Sequence, residues 1–461
     1  MNKIPRTRMP EQDPSVRQSN FLEVALGYNQ AEAKQEALRC IDCKNPRCIN
    51  ACPVNVNIPG FIKALANDNP EEAFNTLYQD NILPSICGRV CPQENQCEGA
   101  CILNIKGESV SIGALERYVG DYGIEHNLAN QTIETTKNIK IAVIGSGPAG
   151  LANAASLRMK GYDVTIFEAL HEFGGVLQYG IPEFRLPKSI VKHEVNNLKS
   201  MGVKFVKNAV IGKSLTIDQL KEDGYKAIFI GSGAGLPSSL RIPGENLNGV
   251  YFANEFLTRV NLMKARTDKK RASTPVKLGD KIAVVGGGNV AMDAARTAKR
   301  LGAKEVFILY RRDKSSLPAR LEEIHHAEQE GIDFRLLQNP VELLGDNRIV
   351  THVKVEKMKL GEPDTSGRRR PLPTGEYLIH EIDNIIISIG QKPNPILKDN
   401  TNGLETEPWG GIITDDYQMT SIDGVFAGGD VVTGAATVIL AMGAGKDAAH
   451  HMHEYLQNNL K

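Results

Sequence analysis

Residues 139–168, IKIAVIGSGPAGLANAASLRMKGYDVTIFE, decide the fold. A β-branched run ends in Gly145-x-Gly147-x-x-Gly150, an alanine-rich stretch follows, and a second apolar run ends in Glu168. This is the order strand, glycine turn, helix, strand, in which a βαβ unit aims a helix N-terminus at a phosphate. The glycines permit the tight turn and the close approach of a pyrophosphate. Glu168, 23 residues beyond Gly145, is placed to accept hydrogen bonds from ribose hydroxyls. The scheme returns over residues 281–312, KIAVVGGGNVAMDAARTAKRLGAKEVFILYRR. Here the turn is Gly286-x-Gly288-Asn289-Val290-Ala291, and the second strand ends in Arg311 and Arg312 instead of an acid. Guanidinium groups there pair with a 2′-phosphate, which favours NADP over NAD.

Outward from these units, KAIFIGSGAG (226–235) and NIIISIGQKPN (384–394) read as further strands ending in glycine. GVFAGGDVV (424–432) is another, followed by a helix from about Thr437 to Asn458. Asp430, after Gly429, is placed to bind a ribityl chain. A helix opening at Thr437 and Val438 would aim its N-terminus at the pyrimidine edge of a flavin. The tail is too short for a domain, so it is expected to complete the first unit. FAD then belongs to the first unit and NADP to the second. The expected architecture is α/β, with a helical iron–sulfur domain (1–130) ahead of two Rossmann-like nucleotide-binding domains. The FAD domain takes residues 131–275 and 391–461, and the NADP domain, residues 276–390, is inserted in it. A polar linker spans 127–138. Residues 345–375, with EPDTSGRRRPLP at their centre, read as a solvated hairpin loop.

All eight cysteines fall between Cys40 and Cys101. They form two runs, Cys40-x2-Cys43-x4-Cys48-x3-Cys52-Pro53 and Cys87-x3-Cys91-Pro92-x4-Cys97-x3-Cys101. Thiolate is the soft ligand iron–sulfur clusters need, and proline after a ligand is common in ferredoxin runs. Structural zinc prefers matched C-x2-C knuckles, of which there is one here. Two [4Fe–4S] clusters suit this number of thiols. Simple arithmetic gives four cysteines to each. Yet Cys87 lies so near Cys91 that it reads as spare, which leaves one cluster short of a thiolate. No cysteine follows Cys101, so a flavin in the first unit has no thiol pair beside it, and the clusters are its outlet for electrons.

The chain has 461 residues, equal numbers of acidic and basic side chains, and a hydrophobic share of 41%. A balance of this kind advertises neither nucleic acid nor an anionic membrane. The first residues lack the apolar run of a secretory peptide, and the thiols suit a reducing compartment, so a cytoplasmic protein is expected. His325, His326, His450, His451 and His453 read as solvated helix positions without a catalytic companion.

These residues together resemble the small (beta) subunit family of NADPH-dependent glutamate synthase. That family includes the large subunit of NADH-dependent reduced ferredoxin:NADP oxidoreductase and the N-terminal half of dihydropyrimidine dehydrogenase. The resemblance rests on CIDCKNPRCINACPV, GRVCPQENQCEGAC, SIGALERY, VIGSGPAGL, FGGVLQYGIPEFRLPK, VVGGGNVAMDAAR, YRRDKSSLPAR and FAGGD. It implies that Cys40, Cys43, Cys48 and Cys101 hold one cluster, and that Cys52, Cys91, Cys97 and Glu116 hold the other. It also implies FAD contacts at Gly174, Gly175 and Leu177. The implied activity is that of an oxidoreductase moving electrons between NADPH, FAD and clusters on behalf of a second subunit. That subunit would be the glutamate-forming large chain of glutamate synthase. The alternative is the bifurcating transhydrogenase, with a small flavoprotein and ferredoxin.

Overall fold

The computed structural model describes residues 4–129, 133–263, 265, 274–365 and 367–459. Residues 130–132 of the expected linker, which include the boundary at 131, and Ser366 of the excursion lie outside them. The front of the chain is helical, with α1 Gln30–Ala37, α2 Ile58–Ala66, α3 Pro70–Tyr78, α4 Pro84–Val90 and α5 Ile112–Glu125. α1 opens on a capping box, in which Asn29 and Glu32 each bond the other's backbone N–H. Prolines in the first turns of α2, α3 and α4 sit where a missing N–H costs nothing.

The first nucleotide-type unit is β1 Lys140–Ile144, α6 Pro148–Met159, β2 Asp163–Phe167, α7 Lys188–Ser200, β3 Lys204–Val206 and β4 Tyr225–Ile230. The second comprises β5 Val250–Phe252, α8 Ala253–Asn261, β6 Lys281–Val285, α9 Asn289–Arg300, β7 Glu305–Tyr310, α10 Leu321–Gln329 and β8 Asp333–Leu336. There follow β9 Gln338–Asp346, β10 Ile349–Pro363, β11 Arg369–Glu381, β12 Asn384–Ile387, β13 Val425–Ala427 and α11 Val438–Asn459.

Two five-stranded parallel sheets result, in the orders β13-β4-β1-β2-β3 and β5-β12-β6-β7-β8. The tail strand β13 thus joins the first sheet. β5 joins the second, so that sheet's first strand lies well before residue 276, where the second unit was expected to begin. β1 and β6 are buried along their length save at their first lysines, as continuous apolar runs must be in a sheet covered on both faces. The excursion is a regular antiparallel sheet, β9-β10-β11, rather than a loop. No helix among the described residues is long and apolar enough to cross a membrane.

The helical front and the first unit share one hydrophobic core, running from Phe61 and Leu77 through Ile141 and Leu151 to Met442 and Leu456. The described part of the linker is pinned as well, with Glu134 N–H on Met159 O and Lys137 N–H on Gly161 O. α6 and α11 cross in close contact because Gly445 faces Ala149, whose carbonyl a Cβ there would overlap.

A buried ionic network joins the N-terminal segment to the second unit. Glu330, after α10, accepts from Arg17 Nε at 3.1 Å, Arg296 Nη2 at 2.9 Å and Arg300 Nη1 at 2.5 Å. Burial works against its ionisation, but the bonds from Arg300 and the charge of Arg296 prevail and hold the carboxyl at about 2. A carboxyl held below its unfolded value, about 4.3, stabilises the fold above that pH and loses the contribution as pH falls toward 2. Glu330→Gln is therefore expected to cost about 3–5 kcal/mol at neutral pH by leaving guanidinium charges buried. In chemical denaturation the gap from wild type should narrow below about pH 4.3; a gap constant with pH would contradict this account.

Candidate functional site

Two cavities lie side by side in the helical front. One is lined by Cys40, Cys43, Cys48 and Cys101. The other is lined by Cys52, Cys91, Cys97 and Glu116. Cys52 thus leaves its own run, and Cys101 leaves the second. Ile58, the first residue of α2, and Ile112, the first of α5, line both cavities, so these two side chains form the wall between them. In the first cavity all four thiols are half-buried. In the second, Cys91 and Cys97 are buried, and Ile439 of α11 closes one side. Burial pushes the Cys48 thiol up to about 11 and raises that of Cys97, which the nearby Glu116 raises further. A soft cation would displace these protons on binding. Soft donors gathered around two pocketed spaces fit thiolate-ligated iron.

Glu116 is buried and its carboxyl is pushed up to about 8 by burial. Asn81 Nδ2 donates to its Oε1 at 2.6 Å. The Asn81 Oδ1 faces the other way, accepting from Leu83 N–H at 2.9 Å and from Cys87 Sγ at 3.7 Å. Cys87 is buried and lines neither cavity. One asparagine therefore links the Cys87 thiol to the Glu116 carboxyl. Sequence reasoning missed it, since 35 residues separate Asn81 from Glu116.

In the first unit Gly145 takes a φ of +101°, and α6 begins at Pro148, directly after Gly147. A Cβ on Gly147 would meet nothing within 4 Å, whereas one on Gly150 would overlap Gly145 O. The middle glycine leaves open space at the helix N-terminus, and the last allows helix and strand to pack. Glu168 is buried at the end of β2. Its Oε2 accepts from Ser146 N–H at 3.0 Å and from Ser146 Oγ, and its Oε1 from Leu170 N–H at 2.9 Å. The same Ser146 Oγ accepts from Gly174 N–H at 2.9 Å. Ser146, an unremarked position inside the glycine motif, thus ties the β1 turn, the end of β2 and Gly174 together. Gly174 and Gly175 have φ of +117° and +54°, and a Cβ on Gly175 would lie 2.7 Å from Gly147 Cα. From the tail, Gly429 has φ +77°, and a Cβ there would stand 3.1 Å from Ala149 Cβ. Asp430 follows, with its carboxyl pushed up to about 6 by burial and its Oδ1 taking the Ala436 N–H at 3.3 Å. Thr437 and Val438 lead into α11, and Thr437 Oγ1 accepts from Leu440 N–H at 3.3 Å. Leu177 is buried, and its carbonyl accepts from Lys188 Nζ at 2.8 Å. The structure therefore brings the motif glycines, Gly174, Gly175, Gly429 and Asp430 to the start of α6.

In the second unit Gly286 has φ +139° and abuts Ser388 O, and Gly288 has open space beside it. α9 begins at Asn289, whose Oδ1 accepts from Arg320 N–H at 2.9 Å. Val290 is exposed and Ala291 buried. Arg311 is exposed; Arg312 is buried, with Nε on Arg369 O at 3.2 Å. Arg320 reaches the cluster region, donating to Arg89 O and to Gln93 Oε1, both at 2.9 Å. His326 departs from its expected solvated position. It is buried, with Nε2 3.0 Å from Glu11 Oε2, because the N-terminal segment packs on α10. His453 likewise meets the Tyr162 hydroxyl at 2.8 Å.

Comparison with known proteins agrees with this layout. Residues 17–128 match a family described as dihydropyrimidine dehydrogenase domain II, 4Fe-4S cluster, and residues 139–445 match the pyridine nucleotide-disulphide oxidoreductase family. The glutamate synthase [NADPH] small chain of Azospirillum brasilense is 35% identical over 97% of this chain and 94% of its own length. That of Escherichia coli is 34% identical over 98% of both chains. The NADP(+)-dependent formate dehydrogenase subunit beta of Moorella thermoacetica is 37% identical over 89% of this chain and 60% of its own. Among solved structures, FprA of Mycobacterium tuberculosis in complex with NADPH is similar in fold, with TM-score 0.59 and 22% identity over 70% of this chain and 85% of that one. The thioredoxin reductase of Lactococcus lactis gives 0.53 and 25% over 70% of this chain and 100% of its own. These relatives include subunits of larger enzymes. This chain belongs to the glutamate synthase small-chain family, and it is an iron–sulfur flavoprotein oxidoreductase that uses a pyridine nucleotide.

Proposed function

We propose that the chain takes reducing equivalents from NADPH and passes them singly to a large subunit that forms glutamate, in the cytoplasm. When bound, flavin and iron–sulfur clusters supply the conversion of one two-electron donation into one-electron transfers. The protein's part is to hold, orient and space them. In this reading the first unit, with the tail returning to it, holds FAD. Gly145, Gly147 and Gly150 admit the pyrophosphate to the N-terminus of α6. Gly174, Gly175 and Leu177 run along the flavin, and Asp430 meets the ribityl chain. The second unit holds NADP at Gly286, Gly288 and the start of α9, with Arg311 and Arg312 on the 2′-phosphate side. Cys40, Cys43, Cys48 and Cys101 hold one cluster. Cys52, Cys91, Cys97 and Glu116 hold the other.

The observation that carries the reading is a succession in space. Ile439 lies in the first turn of α11, the helix that follows Asp430, and it lines the buried thiol cavity. That cavity shares Ile58 and Ile112 with the half-exposed one. A route thus leads from the flavin side, through the inner cavity and the outer one, to the surface where a partner can dock. The absence of cysteine beyond Cys101 leaves no thiol acceptor in the nucleotide units. The large-subunit assignment is supported by small chains that this chain matches over nearly their whole length.

Anaerobic titration with NADPH should bleach the flavin absorbance band, and co-purification from native extract should bring down a glutamate-forming large chain. A flavin band that persists under NADPH would remove the first claim, and a different partner the second. Glu116→Ala should perturb one cluster's electron paramagnetic resonance signal and leave the other intact; unchanged signals for both would remove Glu116 from the ligand set. Cys87→Ser should keep the full iron content; its loss would mean that the ligand sets are wrongly drawn.

A further inference from the structure

Three consecutive arginines, Arg368, Arg369 and Arg370, occur at the return of the β10–β11 hairpin. β11 pairs antiparallel with β10, placing Pro371 opposite Leu360, and so brings the chain back over the C-terminal end of β7. The Arg369 carbonyl accepts from Arg312 Nε at 3.2 Å, which fastens the hairpin to the strand end and keeps Arg312 buried. Arg370 and Pro371 then line one cavity together with Arg311, Arg312, Asn339 and Met358.

The charge balance of this cavity is unusual for the molecule. Three of its lining residues are arginines and none is an acid, although the chain has 54 basic and 54 acidic residues. Elsewhere the buried guanidinium groups meet carboxylates, as Arg296 and Arg300 meet Glu330 and Arg185 meets Asp293. Unbalanced cations held close repel one another, and a dianion between them turns that repulsion into attraction. Guanidinium forks match phosphate oxygens in pairs. Met358 and Pro371 give the same cavity an apolar wall, of the kind that takes a purine face.

We propose that Arg370 is a specificity-determining residue for the nucleotide, the hairpin's arm of a three-arginine clamp on the 2′-phosphate of NADP. Arg311 approaches that phosphate from the end of β7 and Arg370 from the hairpin, 59 residues further along the chain. Discrimination between NADP and NAD is then divided between the Rossmann unit and the appended antiparallel sheet. The inference rests on the reading of the second unit as the NADP site.

The test is calorimetric binding of two probes, adenosine 2′,5′-bisphosphate and 5′-AMP, to the full flavin-loaded chain. Wild type should prefer the bisphosphate. Arg370→Ala should weaken the bisphosphate by about tenfold to a hundredfold, the range of a lost charge-assisted contact, and leave 5′-AMP unchanged. Arg370→Lys, which keeps the charge without the fork, should fall between. Arg368→Ala should bind as wild type, because Arg368 sits on the same turn but does not line the cavity. If Arg311→Ala loses the bisphosphate and Arg370→Ala does not, the hairpin's role is overturned and the NADP reading stands. If wild type binds the two probes equally, both fall. Equal weakening of both probes by Arg370→Ala would also overturn the clamp.

Discussion

The exchange of cysteines between the two runs is the constraint on which the rest of the front half depends. Cys101 closes a cavity otherwise built from Cys40, Cys43 and Cys48, and Cys52 closes one built from Cys91, Cys97 and Glu116. Neither cavity can be completed from one segment, so residues 40–52 must lie against residues 87–101. α2 and α5 then have fixed places, because their first residues, Ile58 and Ile112, separate the two spaces. Buried thiols with raised proton affinity are poor ligands until a cation displaces the protons. Metal binding and the folding of this region are therefore coupled, and the interleaving makes the two cavities form together.

The first nucleotide unit inherits its position from that arrangement. The helical front has no core of its own; its apolar residues continue into those of β1, α6 and α11. The second unit is held differently. Its contacts with the rest include several buried ion pairs and hydrogen bonds, with Arg17 on Glu330, Arg185 Nη1 on both carboxylate oxygens of Asp293 at 2.8 and 2.9 Å, and Arg320 on Arg89 and Gln93 beside Cys91. Buried ion pairs add little net stability against their desolvation cost, but they tolerate few alternative geometries. An apolar core fixes the thiol cavities to the first nucleotide-type unit, and buried ionic contacts help to orient the second unit upon it.

How much of this was legible in the sequence depended on range. The glycine turns were, because φ values and close approaches are local properties that only glycine meets, and so were α6, from its alanine-rich stretch behind a glycine turn, and α11. The split of cysteines was only half legible. Spacing marked Cys87 as surplus, but joining Cys101 to Cys40 needed a family resemblance, since no local rule spans 60 residues. β5 was missed as part of the second sheet because three half-buried residues, Val250–Phe252, carry no periodicity. Asn81, Ser146 and Arg320 act on partners distant in sequence and have no motif of their own. His326 was misplaced for the same reason, since the segment that covers it lies more than 300 residues earlier. The hairpin was read as solvated because its composition is; its sheet register and its contact with Arg312 are tertiary facts.

The family name includes disulphide, yet no cysteine follows Cys101 in this chain. The start of α6 has α11 beside it, and the first turn of α11 reaches the inner thiol cavity through Ile439. The inner thiols thus lie against a helix that belongs to the first nucleotide-type unit. Because the helical front is fused to the same core, the distance across that helix is set by packing rather than by a linker. The outer thiols are half-buried and the inner cysteines Cys91 and Cys97 buried, so water screens charge progressively better along the route outward. Covering the outer cavity would remove that screening and strengthen every charge interaction within it.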